Sequence, residues 1–295
     1  MSMPLRERSR PRRRPRTASR LRRTDDRDRA RHSMCVAARP TAAAVSACRL
    51  SALTNVRPRI GRRAANSASH PFCNQPAMGG PVYWIRNVAY NAPFGVTRMS
   101  SGAAGVVFLN NTMFSEFVAP TSGNLHLANN LILGQNANPE VFAVHTFTNY
   151  SESDYNGFRP SPASKNSFQW TSPPWGTVQD YHDLLETMDA RTLVTRDYPT
   201  LAAYTADAHP DQHSVLVDYD AFERVRPLDA KDVRTVQTLY KMEDLDFRLK
   251  AGSAPVDKGK VIPQVTDGYA GAAPDLGAVE LGQPLPHYGP RPLDK

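Results

Sequence analysis

Beyond position 73 the chain has no cysteine; all three, Cys35, Cys48 and Cys73, precede that point. The remaining 295 − 73 = 222 residues must fold without a disulfide, and an odd number of cysteines without metal-ligand spacing offers neither a disulfide framework nor a zinc site. No stretch of 18 consecutive apolar residues occurs, which excludes an ordinary membrane-spanning helix. There is also no phosphate-binding P-loop, no dinucleotide glycine fingerprint, no Cys-His metal pattern and no Gly-x-Ser-x-Gly elbow.

Lysine is missing from residues 1–73, which hold 19 Arg and 4 acidic residues, a formal charge of 19 − 4 = +15. The rest carries (36 − 19) − (28 − 4) = −7, so the basic character belongs to the leader. Residues 1–31 are Arg, Ser and Pro of low complexity and are expected to be disordered, because they cannot bury enough apolar surface to offset ordering entropy. No aromatic residue precedes Phe72, so the leader has no base-stacking platform, and no nucleic-acid partner is expected for the folded part. Rich in Arg and Ser and poor in acids, the leader resembles a transit peptide, and twin arginines recur at Arg22-Arg23 and Arg62-Arg63; a secretory signal is disfavoured because the nearest apolar run, 34–48, is broken by Arg39 and Pro40. Arginine without lysine beside abundant Ala, Pro and Ser is what a high-GC coding strand yields in a wrong frame or from a wrong start.

What is present is a repeat. The segments 82–91 (VYWIRNVAYN), 106–115 (VVFLNNTMFS), 125–134 (LHLANNLILG) and, more loosely, 149–158 (NYSESDYNGF) share one pattern. Aligned on Asn87, Asn111 and Asn130, the first three place Val82, Val106 and Leu125 in one column, Trp84, Phe108 and Leu127 in a second, and Tyr83, Val107 and His126 between them. Alternation of period two predicts strands. It restarts after the asparagine, which therefore marks a corner, and asparagine suits a corner because it tolerates the left-handed region. The spacings, 111 − 87 = 24, 130 − 111 = 19 and 154 − 130 = 24 with Asp154 as the fourth corner, indicate stacked coils of strands. Asn87, Asn111, Asn130 and Asp154 are thus expected to form an internal ladder.

On these residues the chain resembles the right-handed parallel β-helix proteins of the pectate-lyase-like superfamily. The likeness rests on the GGPVY-I-RN opening at 79–87, the N-T, NNL-I and DYNG-F rungs, and the closing LKAGSAPVDKG (249–259) and GAAPDLGAVE (271–280). It implies an all-β solenoid over 74–291 with a tail at 292–295, and a secreted or cell-surface location, although no clean signal peptide is present. It begins in mid-domain, so coils are expected to be missing before Val82, leaving an open apolar end prone to aggregation.

Between 159 and 246 the strand rhythm lapses. Pro160, Pro162, Pro173 and Pro174 mark a loop with Phe168, Trp170 and Trp175 as aromatic anchors; 178–188 has helical spacing, a second short helix fits 199–208, and 214–222 returns to strand. In proteins of this kind such an excursion commonly frames a glycan groove. GAVEL (277–281) is expected to form a last short strand.

The resemblance implies a protein that binds or processes a polysaccharide, an acidic one if it is a lyase, with a non-catalytic surface or structural β-helix as the alternative. Substrate-binding candidates are Tyr83, His126, Trp170 and Trp175. Catalytic candidates are His126 with Arg86, Arg159 and Lys165, since uronate lyases use a basic residue to remove a proton. None sits in the motif of a named lyase. Glu116, Glu140 and Glu152 fall in connecting segments, which disfavours a carboxylate pair for hydrolysis. Calcium could engage Asp218 with Asp220, or Asp244 with Asp246; Asp257, Asp275 and Glu280 read as turn and cap residues.

Overall fold

The computed structural model describes residues 59–60, 63–67, 72–74, 82–93, 95, 97–99, 105–162, 164–177, 193–207 and 210–284. The leader before residue 59, the helical spacing at 178–188 and the tail at 292–295 lie outside the described residues. Strands come in triplets: β1 (Arg59–Ile60), β2 (Arg63–Ala65) and β3 (Phe72–Asn74); β4 (Val82–Ile85), β5 (Val88–Tyr90) and β6 (Thr97–Met99); β7 (Val106–Leu109), β8 (Thr112–Met113) and β9 (Phe117–Ser122). The next are β10 (Leu125–Ala128), β11 (Leu131–Leu133) and β12 (Phe142–Thr146), then β13 (Glu152–Asp154), β14 (Gly157–Arg159) and β15 (Phe168–Ser172). Except between β6 and β9, strands pair in parallel with their counterparts one triplet on, giving sheet A (β1-β4-β7-β10-β13), sheet B (β2-β5-β8-β11-β14) and sheet C (β9-β12-β15), with β3-β6 as a separate pair. The architecture is a parallel β-solenoid with few helices.

Strand pairing reaches further back than the boundary at 73 suggested. β1 pairs with β4 and β2 with β5, so the strands from Val82 are not the first. Arginine within these short strands hid their alternation.

The columns of the repeat are the register. Val82, Val106 and Leu125 are paired, as are Trp84, Phe108 and Leu127. The second column points inward, where Trp84 stacks on Phe108 with centroids 5.4 Å apart, and Phe117 stacks on Phe142 at 5.7 Å. Aromatic stacking across rungs is the favourable geometry when identical columns repeat at strand spacing.

The corner works differently from the expectation. The left-handed residue is the one before each ladder asparagine: Arg86 (φ 52°), Asn110 (52°), Asn129 (58°) and Tyr155 (56°). That residue breaks the strand, and the following asparagine turns inward. Asn87 Nδ2 donates to Asn111 Oδ1 at 2.9 Å, Asn111 Nδ2 to Asn130 Oδ1 at 2.9 Å, and Asn130 Nδ2 to Asn156 Oδ1 at 3.0 Å. The fourth member is Asn156, not Asp154, because Ala128 pairs with Asp154 and Asn130 therefore meets the residue two further on. Asn111 spends its second proton on Trp84 O, Asn130 on Phe108 O and Asn156 on Ser153 Oγ, which keeps these buried donors satisfied. An amide at the end of such a row would keep an idle proton. Asp211, an acceptor only, closes it, receiving Asn156 Nδ2 at 2.9 Å, Ser214 Oγ at 2.7 Å and Tyr204 OH at 3.1 Å.

The excursion caps and covers. Phe168–Ser172, expected as loop, is a strand in register with β12; its alternation was masked by flanking prolines. β16 (Val194–Tyr198) pairs antiparallel with β15, ending the parallel stacking of sheet C, and α1 (Leu201–Asp207) packs the fully buried Tyr204 flat on Phe168. β17 (Val215–Leu216) extends sheet B, and β18 (Phe222–Arg224) and β19 (Asp246–Leu249) form a hairpin, with α2 (Val233–Gln237) between them. Residues 276–281 are not a strand: Gly277 N donates to Asn129 O and Ala278 N to Thr112 Oγ1, so they lie across the corner between sheets A and B.

Candidate functional site

The outer face of sheet B is sealed. Val88, Tyr90, Phe114, Leu131 and Leu133 point outward yet are buried against Tyr219, Phe222, Phe247, Leu249 and Leu276 from the excursion and closing segment. Among the described residues, the outward side chains of β4, β7, β10 and β13 in sheet A are exposed or half-buried. Tyr83, Val107, His126 and Glu152 stand in one outward column across β4, β7, β10 and β13, with Tyr83 38% exposed and Glu152 exposed. A second column, Ile85, Leu109, Ala128 and Asp154, runs beside it and is half-buried.

Along this face the chemistry changes. Tyr83, Val107, Ile85 and Leu109 form a largely apolar stretch over β4 and β7; beside it stand two imidazole–carboxylate pairs, one between β10 and β13 and one between β13 and the excursion. His126 Nδ1 lies 3.6 Å from Glu152 Oε2. His213 Nδ1 lies 2.7 Å from Asp154 Oδ2, and its ring stacks on Tyr155 with centroids 4.5 Å apart. Asp154 Oδ1 accepts the backbone N–H of both Tyr155 and His213. In the tautomer that donates Nδ1–H to Asp154, Nε2 of His213 is left as an acceptor.

The remaining candidates are dispersed. Arg86, at the corner, donates through Nε and Nη2 to Val265 O at 3.1 and 2.7 Å. Arg159 is on sheet B, where Nε donates to Asp218 Oδ1 at 2.7 Å, Nη1 to Gly134 O, and the guanidinium lies over the Tyr219 ring. Lys165 is exposed on a loop before β15. Trp170 is an interior residue, 1% exposed, and Trp175 packs beside it beneath the Arg196 guanidinium, so neither belongs to the face of sheet A.

Glu152, expected in a connecting segment, opens β13 and faces His126. Glu116 is buried and anchors backbone, its Oε1 accepting from Gln135 N and Ala137 N; desolvation raises its pKa. One acid of each pair offered for calcium is engaged elsewhere, Asp218 with Arg159 and the N–H of Tyr219, Asp246 with Arg248. Among the described residues no group of three or more His, Cys, Asp or Glu is placed to hold a metal ion, and no helix is long and apolar enough to cross a membrane. Asp257, Asp275 and Glu280 accept backbone N–H groups of the closing segment.

His213 carried no signal in the sequence. It reaches Asp154 across 59 residues, delivered by the excursion, and no local pattern announces such a contact. No family model matches the chain, and no curated protein or solved structure matches it.

Proposed function

We propose that the protein binds a polysaccharide along the open face of sheet A, as its resemblance to the pectate-lyase-like superfamily implies. The observation that carries this reading is the uncovered outward column Tyr83, Val107, His126 and Glu152, set against a sheet B whose outer face is sealed. A solenoid offers parallel rungs about 4.8 Å apart, a long shallow surface suited to an extended polymer. Tyr83 and the aliphatic side chains suit the C–H faces of sugar rings; His126, Glu152 and His213 suit hydroxyl groups.

Binding without turnover is favoured over lyase action. Both arginines named as bases have their guanidiniums committed, Arg86 to a carbonyl and Arg159 to a carboxylate away from this face. Titrating the protein into a panel of polysaccharides by affinity electrophoresis, with product absorbance followed in parallel, tests both points. Retardation that disappears in Tyr83→Ala and His126→Ala without product formation is expected. Retardation unaffected by either substitution sinks the assignment to this face.

A further inference from the structure

We infer that the polysaccharide taken by the face of sheet A is uncharged, a neutral hexosan or pentosan and not a polyuronate. The inference rests on the binding reading above and adds the chemistry of the ligand. It follows from which charges the face contains and which it lacks.

The outward positions of β4, β7, β10 and β13 include two carboxylates, Glu152 and Asp154, and no lysine or arginine. Each carboxylate already faces an imidazole, Glu152 that of His126 and Asp154 that of His213. Arg86, at the edge of the face, is turned to the Val265 carbonyl and lies close enough to Glu280 to influence its ionisation. Arg159 is on the sealed side with Asp218.

A polyuronate laid along the rungs would set a carboxylate near every rung. Over β4, β7, β10 and β13 none would meet a cation on the strands themselves, and those over β13 would meet Glu152, a like-charge contact that disfavours binding without any compensating pair. A neutral chain meets no such penalty. Its ring C–H faces match Tyr83, Val107, Ile85 and Leu109, and its hydroxyls can donate to Glu152 and His213 Nε2 or accept from His126. The gradient from β4 to β13 also gives the bound chain a direction, because both imidazole–carboxylate pairs lie at one end of the site.

Among the described residues, Lys258 and Lys260, exposed on the flanking closing segment, offer an alternative anchor for an anionic chain, and the experiment includes them. The full-length protein is titrated calorimetrically with xylan, mannan and glucan oligosaccharides and with oligogalacturonates of matched length, at low and at high salt. The expected result is binding of a neutral oligosaccharide at least tenfold tighter than of any oligogalacturonate, insensitive to salt. Glu152→Lys, checked for an unchanged thermal midpoint, should narrow that gap at least tenfold. Tighter, salt-sensitive binding of oligogalacturonate, abolished in a Lys258→Ala/Lys260→Ala double variant, overturns the inference while leaving the binding reading intact. Binding of neither class removes both.

Discussion

Sheets A and B leave the same corners, two residues apart, yet one outer face meets solvent and the other is buried. The difference lies in the outward side chains. Sheet B presents Val88, Tyr90, Phe114, Leu131 and Leu133, too much apolar surface to leave wet, and residues 215–280 fold back to cover it. Sheet A mixes Tyr83 and Val107 with His126, Glu152 and Asp154 and can remain open. A strand buried on both faces reads as a continuous apolar run, a half-exposed one as alternation; LIL in β11 and LHLA in β10 show the two side by side.

The contrast is sharpest at Phe114, whose ring meets Tyr90, Tyr219, Phe222 and Phe247 within 5.6 Å. Phe114→Ala should cost about 3–5 kcal/mol in urea unfolding, the range for an aromatic removed from a well-packed core. A loss below about 1 kcal/mol would mean that the covering segment does not seal sheet B.

The ladder between the two sheets comes next. Asn130→Ala removes the acceptor for both the backbone and side-chain N–H of Asn111, and stranding two buried donors should cost about 3 kcal/mol. Asp154→Ala, outside the ladder, should cost at most about 1 kcal/mol in the same assay. Equal losses would return Asp154 to the ladder. The closing segment gives a third comparison. At Gly277 (φ 94°) a methyl would sit 2.6 Å from Thr112 Oγ1, whereas at Gly282 (φ 78°) nothing lies within 4 Å. Gly277→Ala should therefore destabilise by about 2 kcal/mol or more, and Gly282→Ala by only the left-handed cost of about 1 kcal/mol.

Acid should favour the sealed side. Desolvation raises the carboxyls of Glu116, Asp211, Asp275 and Glu280 above their ordinary values. The folded chain then holds these protons more tightly than the unfolded chain. Their contribution to stability is fully present below the ordinary carboxylate value of about 4 and is lost as pH rises through the higher folded values. The thermal midpoint should climb as pH is lowered from about 7 toward about 5, and Glu116→Gln should flatten the rise. A midpoint that falls over that interval contradicts the assignment.

Much of this arrangement was legible in the sequence, and the failures have physical causes. Inward and outward columns followed from period-two alternation, because register in a parallel stack copies one coil onto the next. The asparagine corner was visible, but its left-handed residue was assigned one position late, since Asn110-Asn111 and Asn129-Asn130 supply asparagine at both places and only Arg86 and Tyr155 separate the roles. Asp154 was put in the ladder by spacing alone, which cannot distinguish a shift of two residues. The sealing of sheet B, the capping by Asp211 and the pairing of His213 with Asp154 all depend on contacts across more than 50 residues, and local pattern does not encode these.

The smallest expected effect tests the comparison from the other side. Val107 occupies an outward position of β7 between Tyr83 and His126 and is half-buried. If the face is open, Val107→Ala removes little packed surface and leaves no cavity, so its cost should stay within about 1 kcal/mol, against about 3–5 kcal/mol for the neighbouring inward Phe108→Ala. Both residues lie on the same strand with the same backbone pairing, so strand propensity is held nearly constant and the difference reports burial together with the larger side chain of Phe108. A cost at Val107 approaching that at Phe108 would show that something covers sheet A in solution, and the face would then be an internal contact and not a place where a glycan can lie.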